Sequence, residues 1–291
     1  MARTSSNARR RVAAAALGVG ATVALLAGAV LPAGVAAAGP APLADGWRAA
    51  APQVVTVTMS ELRLDRKGRV HRVVTRSGVV ARALAVTPAS PAPCKDKAFQ
   101  LMQPTPSSWN RPMQWAFRAS STPEDITRTG ATRALKRSVA NITGAHNDCG
   151  RVDRVSASAT YLGTTNRALD FATVGSCKQY DASDHVNVVG FGRVPSGDAA
   201  LTCIWSVGDQ IIEADMKLDR NAGWATSLGT CEGESLLESV ATHEFGHVFG
   251  LGHVPEATHG RLTMSERLDG FCEDNETTLG RGDMLGLEKL Y

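Results

Sequence analysis

The spacing of apolar and polar positions divides the chain into strand-like and helix-like stretches. Residues 54–86, "VVTVTMSELRLDRKGRVHRVVTRSGVVARALAV", alternate enough to predict a hairpin turning at "DRKG". The "TPASPAP" that follows has linker composition and places a boundary near residue 93. Beyond it "MQWAFRAS" reads as a strand. "TPEDITRTGATRALKRSVANIT" carries Ile126, Ala131, Leu135, Val139 and Ile142 at helical spacing. "RVSASATYLG", "HVNVVGFG", "ALTCIWSV" and "QIIEADMKLD" read as four further strands, separated by Gly, Asp, Ser and Pro. A helix over residues 234–249, an irregular stretch and a short terminal helix in "RGDMLGLEKLY" close the chain. One helix, then strands, then two late helices predict an α+β domain with a mixed sheet.

Composition changes this picture at three places. The net charge is +3, but Arg3, Arg9, Arg10 and Arg11 all lie at the N-terminus, so the remainder is near neutral and offers no basic stripe for nucleic acid. That basic flank, the apolar run after it and "VAAAGP" read as an export signal over residues 1–38; the rival is an uncleaved membrane anchor, disfavoured by the Ala and Gly content and by Pro32. Residues 39–93 are then a pro-segment or accessory segment, and residues 94–291 the main domain. In an exported chain the even set Cys94, Cys149, Cys177, Cys203, Cys231 and Cys272, with no C-x-x-C pair, predicts disulfides. Fifteen connectivities are open; we favour neighbours in sequence, 94 with 149, 177 with 203 and 231 with 272. A Cys94 thiolate capping a metal is the less favoured reading of "PAPCKDK".

The densest chemistry lies in "ATHEFGHVFGLGHVPEATHGRLTMSE". His243 and His247, four apart on a helix, direct both imidazoles at one point, as a zinc ion requires. Glu244 lies about 100° further round, beside that point and not at it, where a general base for water on the ion belongs. On a continuing helix His253 would be out of reach. Gly250 can end the helix in a left-handed conformation and bring His253 back as the third ligand. Three protein ligands leave a fourth position for water, the arrangement of a catalytic zinc.

"HEFGHVFGLGH" followed by "LTMSE" resembles a metzincin metallopeptidase, with Met264 in the place of the Met-turn. Within that clan the chain is similar to the matrixin family, through "IIEADMKLDRNAGW" before the zinc helix and "LGRGDMLGLEKLY" at the end. The resemblance implies a twisted, five-stranded mixed sheet, a zinc-binding helix, a Met-turn whose methionine is an apolar floor under the histidines, and a C-terminal helix. It also implies one antiparallel edge strand beside the cleft, here "ALTCIWSV", to which an extended peptide adds. The implied function is a secreted, monomeric zinc endopeptidase acting on proteins or peptides, with no nucleic acid and no stable membrane association. The alternative is a binding protein on the same scaffold that does not cut; a metal-dependent amidase is a third reading. The matrixin latency cysteine motif is missing. Structural calcium is left open and unassigned. Asp181, Asp184 and His185 in "DASDHVN" are either metal ligands or a solvated turn. His259 reads as a surface or supporting residue, and Asp283 as a helix-start carboxylate or a support of the Met-turn.

Overall fold

The computed structural model describes residues 55–63 (backbone only), 90–102, 105–267 and 271–291. The export-signal and anchor readings, and the rest of the expected hairpin, lie outside the described residues.

In chain order the strands are β1 (Val55–Arg63), β2 (Gln100–Leu101), β3 (Met113–Phe117), β4 (Ala159–Thr164), β5 (Phe171–Thr173), β6 (Ser176–Cys177), β7 (Asn187–Gly192), β8 (Asp198–Val207), β9 (Gln210–Asp219), β10 (Trp224–Ala225), β11 (Ser235–Leu236) and β12 (Leu251–Gly252). The α-helices are α1 (Arg128–Thr143), α2 (Leu237–Val248), the single turn α3 (Glu256–His259) and α4 (Arg281–Leu290). The main sheet runs β1-β8-β9-β7-β3-β4. Four strands, β9, β7, β3 and β4, are mutually parallel, and β8 is antiparallel to β9. This is the five-stranded mixed sheet expected from the sequence, with β8 in the place of the antiparallel edge.

One feature departs from that expectation. A sixth strand, β1, pairs antiparallel along the whole of β8. Residues 55–63 therefore join the main sheet, and within this fold the β8 edge is covered.

Burial follows position in the sheet. β8 is buried at nine of its ten residues, so its sequence is a nearly continuous apolar run, whereas β4 at the opposite edge alternates between half-buried and exposed. α1 begins at Arg128, later than the periodicity suggests, because Thr127 is its N-cap and the Thr127 side chain accepts the Gly130 N–H. α2 starts three residues later than predicted, since Ser235 and Leu236 are used in pairing with β10. The two helices pack on each other and against the sheet. Arg137 and Asn141 of α1 reach Glu238 of α2, and Asn141 also donates to Thr242. Trp115 on β3 meets Phe245 on α2 edge to face at 5.5 Å. α2 is thus held on two sides, and every residue in it except Glu238 is buried.

The three disulfides are Cys94–Cys149, Cys177–Cys203 and Cys231–Cys272, the sequence-neighbour pairing. With Cys94 bonded to Cys149, the thiolate-cap reading of "PAPCKDK" falls. No helix among the described residues is long and apolar enough to cross a membrane.

Candidate metal centre

α2 carries His243, Glu244 and His247, all fully buried. It ends at Val248, and Gly250 follows with φ +91°, its N–H bonded to the His247 carbonyl. This left-handed step turns the chain so that Leu251 and Gly252 form β12 against β2, and Met102 N–H closes on Gly250 O. His253 comes next and is carried back over the helix end. The result is a triangle: the Nε2 atoms of His243, His247 and His253 lie 3.0 Å apart on every side.

Those nitrogens cannot satisfy one another. His243 Nδ1 donates to Thr263 O at 2.7 Å, and His247 Nδ1 donates to Leu251 O at 2.8 Å. Each ring therefore carries its proton on Nδ1 and presents a lone pair at Nε2. Two such lone pairs facing each other repel unless a cation lies between them. Burial, and then the neighbouring imidazoles, hold both rings far below the ordinary histidine pKa, so they stay neutral as metal ligands must be. The centre of the triangle is about 1.7 Å from each nitrogen, the side divided by the square root of three. Zinc–nitrogen bonds are about 2.0–2.1 Å, so three converging imidazole nitrogens at this spacing suit one zinc ion, which His243, His247 and His253 would hold. The carbonyls that fix the Nδ1 protons give two of the ligands the hydrogen-bonded outer shell that such sites use.

Glu244 flanks the triangle. Its Oε2 accepts a hydrogen bond from the Thr202 hydroxyl on β8, and its Oε1 is buried with no hydrogen-bond partner. Burial pushes this carboxyl up to about 8 against the opposing pull of the Thr202 hydroxyl, with the Asp198 charge adding to the rise.

Residues 179–291 match the family model described as Matrixin. The chain carries a matrixin-like metzincin domain. No curated protein matches the chain.

Under the helix, the matrixin-like domain places Met264 against Gly246, so closely that a Cβ on that glycine would fall on the methionine sulfur. Val254 N–H bonds Met264 O, tying the segment after His253 to the same turn. Asp283, in the first turn of α4, accepts N–H groups from Thr263 at 3.0 Å, Met264 at 3.2 Å and Gly280 at 2.9 Å. The Asp283 carboxylate therefore does both things considered from sequence: it starts α4 and it clamps the turn. His259 lies apart from the triangle, with Nδ1 at 2.8 Å from Asp96.

The "DASDHVN" residues separate. Asp184 joins Asp170 and Glu213, with carboxylate oxygens within 4.8 Å of one another. His185 bonds Glu213 and packs on the Tyr180 ring, while Asp181 is outside the cluster. Protein groups already serve these carboxylates: Lys178 at Asp170, Arg167 at Asp184, Ser183 at Glu213. Calcium is not assigned to them. Cys231, Glu234 and Cys272 also lie together, but their sulfurs are spent on each other.

Thr202 is the residue near the site that sequence reading missed. It sits inside an apolar strand, where a threonine looks like ordinary β-former. Only the packing of β8 against α2 brings it to Glu244.

Proposed function

We propose that this chain is a secreted zinc endopeptidase, with His243, His247 and His253 as metal ligands, Glu244 as the proton-carrying base and Met264 as the apolar floor. The observation that carries this reading is the buried triangle of imidazole nitrogens with a carboxylate beside it. When bound there, zinc supplies Lewis acidity, polarising a peptide carbonyl and making water a competent nucleophile near neutral pH. The remaining work belongs to side chains. Thr202 occupies one oxygen of Glu244, so the other, Oε1, is the atom that accepts the proton of the attacking water and returns it to the departing amine. Thr263 and Leu251 carbonyls orient two ligand rings through their Nδ1 protons. Substrate enters as an extended peptide adding to β8 on the side away from β9, the edge along which β1 lies in this fold.

Residues 1–38 are read as the removed export signal, 39–93 as an N-terminal segment and 94–291 as the peptidase domain. Three disulfides support an oxidising, extracellular destination.

Glu244→Gln tests the mechanism. Zinc stoichiometry should be unchanged while casein hydrolysis falls by about 10²–10⁴-fold, the usual worth of a positioned base. Equal hydrolysis by both proteins would remove Glu244 from the reaction, and no hydrolysis by either would leave the non-cutting scaffold.

A further inference from the structure

The N-terminal segment lies on the edge that the proposed substrate would use. β1 pairs with β8 from Val55↔Val207 to Leu62↔Ala200, antiparallel throughout, with one irregularity before Arg63. Ser60 stands opposite Thr202, the residue whose hydroxyl holds Glu244. Paired strands lie about 4.8 Å apart, so the β1 backbone runs about one strand spacing from Thr202, along the edge a bound peptide would use. α2 packs against β1 as well as against β8.

Two features of the sequence bear on what this pairing does. The first cysteine of the chain is Cys94, and it is bonded to Cys149. No thiol from the N-terminal 93 residues can therefore reach the imidazole triangle, and β1 is tied to the domain by no disulfide. Its covalent tether is the chain through residues 64–89 to Ser90, whose hydroxyl accepts the Gly260 N–H. A strand held only by its own chain pairs without a bimolecular encounter. Once the chain is cut, the same pairing must compete at the low concentration of a free peptide.

We propose that residues 55–63 are a substrate-like strand held in cis on β8, which keeps the site closed to peptides until a cut between residues 64 and 89 lets the strand leave. This rests on the endopeptidase reading of the site. Latency is then a matter of backbone hydrogen bonds along an edge strand, and its release needs one hydrolysed peptide bond and no change at the metal ligands.

The test uses the full chain with a recognition sequence for a specific protease placed within residues 64–89. In a Glu244→Gln background, which removes self-cutting, amide hydrogen exchange is followed in peptides covering residues 198–207. Exchange should be slow in the intact chain and at least tenfold faster after the cut and gel filtration. Exchange that is the same before and after overturns the proposal, whatever the enzyme does. In the chain with Glu244 intact and zinc bound, casein hydrolysis should rise at least tenfold on cutting and fall again when a synthetic peptide of residues 53–65 is added. Equal hydrolysis before and after the cut, with faster exchange, overturns the latency role. Faster exchange with no hydrolysis in either state upholds the strand on β8 and defeats the endopeptidase reading instead.

Discussion

At the scale of single residues, two small contacts hold the floor of the site. Gly246 sits between the two helical histidines in sequence and leaves just enough room for the Met264 sulfur. Alanine is the better helix former by roughly 1 kcal/mol, but here its methyl group would collide with a buried side chain, and overpacking costs about 1–3 kcal/mol. Gly246→Ala should therefore lower the urea midpoint. Gly246→Ala combined with Met264→Ala should be less destabilised than the two single effects added together, because the colliding atoms are gone. Asp283 is the second such residue. Its two oxygens accept three N–H groups, and an amide in its place offers one acceptor oxygen and a donor that faces a donor. Asp283→Asn should destabilise the fold by about 1–3 kcal/mol, read from denaturant titration.

At the scale of elements, the decisive event is the end of α2. A helix that ran on would carry residue 253 away from the two imidazoles below it. Gly250 stops it with a left-handed turn, and its Cα lies so close to the Ser107 carbonyl that a side chain would strike backbone. Gly250→Ala must shift either the turn or the segment containing Ser107. Either movement displaces His253 and the Leu251 carbonyl that orients His247. Zinc affinity, measured by competition with a chelator, should fall by about tenfold or more, the range found when support around metal ligands is lost, while most of the secondary structure by circular dichroism is kept.

At the scale of the whole molecule, the matrixin-like domain carries a buried carboxyl whose effect on stability can be signed. Glu213 is fully buried on β9, with one oxygen held by Ser183 and His185 and the other without a partner. Burial, reinforced by Asp170 and Asp184, raises its pKa from 4.5 to about 8. The folded chain thus binds a proton between those values that the unfolded chain has released. Stability should be fullest below about pH 4.5 as far as this group is concerned, and should be lost as pH rises towards 8. Glu213→Gln, neutral at every pH, should flatten the fall in melting temperature between pH 5 and pH 8. A slope identical to that of the parent would assign the dependence to other groups.

The features legible in the residues themselves are the local ones. The period of the apolar positions marks helices and strands, the four-residue spacing of His243 and His247 sets two rings on one helix face, and Gly250 announces a turn that makes His253 useful. These follow from backbone geometry within a dozen residues. The disulfides paired as neighbours because the strands and loops carrying them fold close to one another along the chain. Tertiary structure alone decided what depends on packing between distant segments. Thr202 reaches Glu244 across 42 positions, Asp170 and Glu213 join Asp184, and residues 55–63 lie on β8. An alternating stretch states that it will be a strand. It does not state which edge it will join, because any edge offers the same row of N–H and C=O groups, and the choice is made by the shape of the folded domain.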